Sequence, residues 1–284
     1  MTLQRALAWS IFWILLSLMV AGGVGHFLGA ATAEAFLTGY TLEKALSVDN
    51  LFVFLLLFTH FKVDHQAQRR ALNYGILGVL VLRGLLIFAG VALVHQFEWL
   101  MYVFGVIVVY SGFAMAFGGD KEFDAERSKT LKLVRRFVPV TNEFHGARFF
   151  IRNAQGRLTA TPLFVVLIVL EVTDIIFAVD SIPAIFAVTR DPLLIYGSNM
   201  LAVLGLRSLY FLLAKVQESF RFVKQGVGGI LWFVGLKMLL PLVAPSWHVS
   251  NALSLTVVLG LLLGSILVSL LIPVKHRDTK HHGA

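Results

Sequence analysis

Eight times along the chain, apolar residues run on for about twenty positions with scarcely a charge, as in "IFWILLSLMVAGGVGHFLG" and "NALSLTVVLGLLLGSILVSLLI". A helix of that length matches the ~30 Å hydrocarbon core of a bilayer. A water-exposed helix would carry polar residues along one stripe at helical spacing, and these runs do not. The runs read as spans at about 7–28, 35–59, 71–94, 99–117, 162–188, 193–214, 227–245 and 250–273. The fold class is therefore an all-α polytopic membrane protein of about eight transmembrane helices. The balance of 58% hydrophobic to 14% charged residues agrees, since soluble domains carry about 25% charged residues. The first run follows a single Arg, as a secretory signal would, but its length suits a retained span better.

The basic residues orient the spans. Of 24 Lys and Arg, nineteen fall in the segments on one side of the membrane, nine of them between Lys121 and Arg157. Arg190 alone falls on the other side, and Lys44, Arg83, Arg207 and Lys237 lie within spans. The positive-inside rule then places both termini in the cytoplasm. The net charge of +8 is thus loop charge facing the cytoplasm and not a nucleic-acid footprint. With no cysteine, the chain has no disulfide, no thiolate metal site and no Cys nucleophile. It also lacks the HExxH, GxSxG and P-loop patterns, so nothing points to an enzyme or an organic cofactor.

Two segments repeat each other. Glu43, Asp49 and Asn50 have the spacing of Asp174, Asp180 and Ser181. "GILGVLVLR" ends at Arg83 and "NMLAVLGLR" at Arg207, while Gly105, Gly112 and Met115 are spaced like Gly228, Gly235 and Met238. Each unit holds three spans, an odd number, so the two enter the membrane from opposite sides as inverted repeats. The chain divides into an N-terminal helix (1–30), a first repeat (31–117), a cytoplasmic linker (118–158), a second repeat (159–246) and a last helix with its tail (247–284). Within the linker, the stretch around Asn153–Gly156 reads as a small β-hairpin.

A charge at the bilayer centre costs several kcal/mol, from about 2.5 upward, so charges within spans call for a function or a partner. Glu43, Asp49, Glu171, Asp174 and Asp180 are such acids. On an ideal helix, Glu171 and Asp174 share a face, while Asp180 lies about 180° from Glu171. That span is therefore central to the bundle or unwinds between its acids, and Gly39 and Pro183 are the candidate break points. Carboxylates with Asn50 and Ser181 make a hard-oxygen set that suits Mn²⁺, Mg²⁺ or Ca²⁺. Asp49 and Asp180 are the candidate direct ligands, with Glu43 and Asp174 beside them. Lys44, Arg83 and Arg207 balance charge, and Glu171, which has no mate in the repeat, is the candidate for gating. The same acids could instead form a proton relay or an ion-pair lock without metal.

"AFLTGYTLEKALSVDNLFVF", "TPLFVVLIVLEVTDIIFAVDSIPAIFAVTRDP", "YGSNMLAVLGLRSLYFLLA" and "FFIRNAQGRL" together resemble the TerC/Alx family across nearly the whole chain. The resemblance implies a multi-pass protein of the bacterial inner membrane, within the LysE-like transporter superfamily. It implies Mn²⁺ export and, by an older association, tellurium resistance. The family's acidic motif residues fall on Glu43, Asp49, Asn50, Glu171, Asp174, Asp180 and Ser181. Expected partners are Mn²⁺ or another divalent cation as the transported ion, protons and the lipid bilayer. Export of another solute, or a scaffold that metalates or assembles secreted proteins, are the competing functions.

Overall fold

The computed structural model describes residues 3–118, 139–141, 143–152, 156–216, 222–244, 247 and 249–272. Among them the apolar runs form helices α1 (Leu3–Leu28), α2 (Ala30–His60), α3 (His65–Gln96) and α4 (Leu100–Phe117). Beyond the hairpin of β1 (Phe150–Arg152) and β2 (Leu158–Ala160) come α5 (Pro162–Phe186), α6 (Pro192–Leu204), α7 (Leu206–Val216), α8 (Val223–Val243) and α9 (Asn251–Leu271). Short polar residues start several of them. Asp64 accepts bonds from the Gln66 and Ala67 amides at 2.7 and 3.0 Å, and Asp191 does the same for Leu193 and Leu194 ahead of α6. Prolines at 162 and 192 stand in the first turn, where the missing N–H costs no helical bond.

Among the described residues, seven segments are long and apolar enough to cross a membrane, with α6 and α7 counted together as Pro192–Ala214. The eighth expected span is α2, whose Glu43, Lys44 and Asp49 lower its hydropathy. Its 31 residues give about 46 Å of helix, ample for a crossing. It packs against α1, α5, α6, α7, α8 and α9. A helix so surrounded can carry polar groups that no lipid-facing helix could.

The helices do not break where the sequence suggested. α2 runs unbroken through Gly39, and α5 through Pro183. Gly39 marks a close crossing, since a Cβ there would stand 2.9 Å from Ser198 Oγ on α6. Pro183 falls within the last turn of α5, where little helix remains to be disturbed. The interruption lies at Gly205, between α6 and α7, and the Lys44 ammonium on α2 donates to the Ala202 carbonyl at 2.9 Å. α5 therefore stays wound between its acids: Asp174 pairs with Arg83 of α3 and Asp180 with Ser111 of α4, while Ile176 and Val179 are exposed.

The expected hairpin is present, with Phe150 opposite Ala160 and Arg152 opposite Leu158. It rests on the start of α3, where Tyr74 meets Phe149 edge-on at 5.2 Å and Arg70 lies 5.3 Å from the same ring. Residues 119–138, 142 and 153–155 of the expected linker, and the tail from 273, lie outside the described residues.

α4 and α8 make the tightest helix pair. A Cβ at Gly112 would lie 2.6 Å from the Trp232 amide nitrogen, one at Gly228 2.7 Å from that of Ala116, and one at Gly235 2.7 Å from that of Val109. Backbone meets backbone there, which only glycine allows and which dispersion rewards in lipid.

Two apolar cores fill the bundle. One gathers Leu51, Phe58, Leu72, Leu163, Leu170 and Tyr210; the other gathers Leu42, Ile87, Ala178, Ile185, Ile195 and Leu231. On α3 the cores reach Val79 from one side and Ile87 from the other; on α5 they reach Leu170 and Ala178. Between them lies a polar layer.

Candidate functional site

Arg83 is the hub of that layer. The residue is 1% exposed, and its guanidinium grips Asp174 in a fork, with Nε donating to Oδ2 at 3.0 Å and Nη2 to Oδ1 at 2.9 Å. Nη1 donates to Asn199 Oδ1 at 2.9 Å and is ion-paired with Glu43 Oε1. A planar fork matched to a carboxylate is the strongest form such a contact takes. Four elements meet here: α2 brings Glu43, α3 Arg83, α5 Asp174 and α6 Asn199. Asp174 stands midway along α5, twelve residues or about 18 Å from either end. On a membrane-spanning helix that is the bilayer midplane.

One positive group faces two carboxyl groups, so the ionised cluster carries a net charge of −1. Ser47 Oγ donates to Glu43 Oε1 at 3.1 Å, whereas Glu43 Oε2 is buried without a hydrogen-bond partner. Burying a carboxylate oxygen without a donor is costly unless a cation or proton meets it. The cluster thus has one acceptor more than its own donors satisfy.

The remaining expected ligands are spread around this hub. Asp180 lies on another face of α5 and accepts from Ser111 Oγ of α4 at 2.6 Å, separate from the Arg83 cluster. Ser181 is buried with its hydroxyl unpartnered, and Asn50 is buried on α2. The Asp49 side chain lies outside the described residues. Among those described, no three His, Cys, Asp or Glu residues converge as a metal-holding group. The expected six-residue set is therefore divided in this conformation: Glu43 and Asp174 are held by Arg83, while Asp180 is held by Ser111.

Glu171 fills a notch of its own. Its carboxyl presses against α3 at Gly78, where any Cβ would overlap it, and Oε2 finds no partner. Lys44 points away from Glu43 toward the α6–α7 break. Lys237, the fourth base within the spans, donates to Ser254 Oγ of α9 at 2.9 Å. Arg207 lines a cavity of about 520 Å³ with Trp9, Trp13, Asn73, Leu77 and Ser208.

Asn199, Ser111 and Ser47 escaped the sequence reading. Asn199 opens the very "NMLAVLGLR" stretch matched to the first repeat, so its amide could have been noticed there. Neither serine carries such a signal. Both sit in apolar helices where a hydroxyl commonly bonds its own backbone.

The chain matches the model of the integral membrane protein TerC family over residues 28–278. It is 43% identical over 284 residues to a protein of Escherichia coli strain K12 named "Putative membrane-bound redox modulator Alx", covering 97% of this chain and 87% of that one. The protein of the same name from Photorhabdus laumondii is 47% identical over 248 residues, covering 84% of this chain and 77% of the other. A Myxococcus xanthus membrane protein, STKORF319, is 43% identical over 277 residues, covering 97% and 85%. No solved structure matches.

Proposed function

We propose, from the premise that this chain belongs to the TerC family of integral membrane proteins, that it exports a divalent cation, Mn²⁺, from the cytoplasm. The carrier works by alternating access, in a bacterial inner membrane with both termini inside. The observation that carries the proposal is the mid-span cluster, in which Arg83 clamps Glu43 and Asp174 while Glu43 Oε2 is left without a donor. Carboxylates at the midplane make a hard-oxygen site suited to Mn²⁺ over soft metals. A guanidinium already seated on them acts as the cation's stand-in, to be displaced when the ion arrives. Asp49, Asn50, Asp180 and Ser181 complete the coordination in the loaded state.

Moving a divalent ion outward against an inside-negative potential of 100 mV costs about 4.6 kcal/mol. Inward proton movement onto the same carboxylates is the coupling we assign to that cost. The absence of cysteine means that a redox role, as in the name of the Escherichia coli relative, would not run through a thiol of this chain.

Asp49→Asn and Asp180→Asn, checked for normal membrane insertion, test the proposal. Cells carrying either variant should accumulate Mn²⁺ and become sensitive to it. Unchanged Mn²⁺ content in both would refute export through this site. Flux in vesicles that ignores an imposed pH gradient would remove the proton coupling alone.

A further inference from the structure

Glu43 and Asp174, the two acids that Arg83 clamps together, occupy matching positions in the two three-span units, and Arg83 itself matches Arg207. An operation that carries one unit onto the other therefore exchanges the two acids and exchanges the two arginines. The α4–α8 seam obeys such an operation. Gly112 meets the Gly228 carbonyl at 2.7 Å and Gly235 meets that of Gly105 at 2.9 Å, measured from a built Cβ. Since Gly105 matches Gly228 and Gly112 matches Gly235, each of these contacts is the other's image.

The charge cluster does not obey it. By the same symmetry Arg207 would also reach the carboxylate pair, yet only Arg83 does. Arg207 faces the 520 Å³ cavity and, among the described residues, has no ion-pair or hydrogen-bond partner. The backbone is unequal at the same place. α3 is continuous through Arg83, whereas its counterpart is interrupted at Gly205, two residues before Arg207. Lys44 occupies the notch left by that glycine: a Cβ on residue 205 would stand 2.5 Å from its ammonium, which bonds the Ala202 carbonyl.

We propose that Arg83 and Arg207 are alternating counter-ions of one carboxylate pair. In the opposite-facing state Arg207 clamps Glu43 and Asp174, and Arg83 withdraws to the far side as Arg207 does now. Asn199, which touches the Arg83 guanidinium, precedes Arg207 by eight residues, about 12 Å of helix. A slide of one turn, about 5.4 Å, together with the extended arginine stem, covers that distance. One-turn ratchets of packed helices are an established form of switching. In each end state one guanidinium covers the two acids, so the midplane holds a bare carboxylate pair only during the exchange, when an ion can take them. Lys44 in the Gly205 notch is the latch of the present state. This inference rests on the transport reading above and adds to it the residue that resets the empty carrier.

The chain's lack of cysteine makes a labelling test direct. A single Asn73→Cys, on the wall of the Arg207 cavity, is treated with a membrane-impermeant maleimide in vesicles of both orientations, without metal. In an otherwise native chain the thiol should label from one side. Adding Arg83→Gln should drive Arg207 onto the acids, close the cavity and lower labelling at least fivefold, while Arg207→Gln should leave labelling as it was. Gly205→Ala, which keeps both arginines and displaces the Lys44 latch, should also lower it, and this variant decides the matter if Arg83→Gln does not fold. Labelling unchanged by Gly205→Ala, or by a folded Arg83→Gln, overturns the exchange. Because the readout uses no Mn²⁺, that failure is distinct from failure of the export proposal, which the Asp49 and Asp180 variants report.

Discussion

Replacing Arg83 by methionine, which keeps much of the stem and removes the charge, asks what the polar layer contributes. The guanidinium makes three hydrogen bonds, two to Asp174 and one to Asn199, besides its ion pair with Glu43. If only hydrogen bonds mattered, three interhelical bonds at about 0.6 kcal/mol each would put the loss near 2 kcal/mol. If the buried charges dominate, Arg83→Met strands two carboxyl groups and should cost about 3–5 kcal/mol. At 2–4 °C per kcal/mol, the second case lowers the unfolding midpoint in detergent by about 6–20 °C. The sign of a further step separates the cases more sharply than this size. Adding Glu43→Gln and Asp174→Asn to Arg83→Met removes the stranded charges, so stability should return to within about 1–2 kcal/mol of the parent. A hydrogen-bond origin predicts no such recovery, because the triple variant regains none of the three bonds. A triple variant no more stable than Arg83→Met alone would refute the view that Arg83 is there to balance charge.

Two further substitutions probe the packing around this layer. Gly112→Leu places side-chain atoms where the Trp232 amide and Gly228 carbonyl stand 2.6–2.7 Å from a Cβ, so it should separate α4 from α8 and abolish the folded protein in a fluorescence-detected chromatography assay, whereas Gly264→Ala, with nothing within 4 Å, should elute as the parent does. Gly78→Ala should cost about 1–3 kcal/mol by thermal unfolding because its methyl group collides with the Glu171 carboxyl, and combining it with Glu171→Ala should recover most of that loss.

The spans were legible because the bilayer demands runs of fixed length, and α2 was legible despite its charges because its flanks are apolar. What the sequence could not supply was pairing across distance. Glu43 and Asp174 stood out as repeat mates, but the contact from Arg83 to Asp174 crosses 91 positions of chain and depends on which faces α3 and α5 present. Residue type also misled where it grants permission without obligation. Gly39 and Pro183 permit a break, yet close packing against Ser198 and the nearness of the helix end keep those helices whole. Gly205 looked ordinary, and the interruption there coincides with a lysine from another segment bonding the Ala202 carbonyl. The glycines at 105, 112, 228 and 235 were visible as a spacing, and their physical cause is the backbone contact of α4 with α8.

Under the export proposal, that seam constrains how the protein moves. A seam of glycines locks α4 and α8 backbone to backbone, so on the transport reading the pair shifts as one body and the working motion falls to α2, α3, α5, α6 and α7, which carry the charges. A net charge of −1 at the midplane would normally hold whatever cation it meets, and a site that cannot let go cannot transport. A resident guanidinium answers this difficulty because it competes for the same oxygens from within the protein. Its attachment to a helix limits its reach, so it leaves the acids when that helix moves, whereas a free ion leaves when the site opens to water. On the export proposal, release of metal on one side and return of the empty carrier then depend on the same carboxylates, and the arginine on them decides which step comes next.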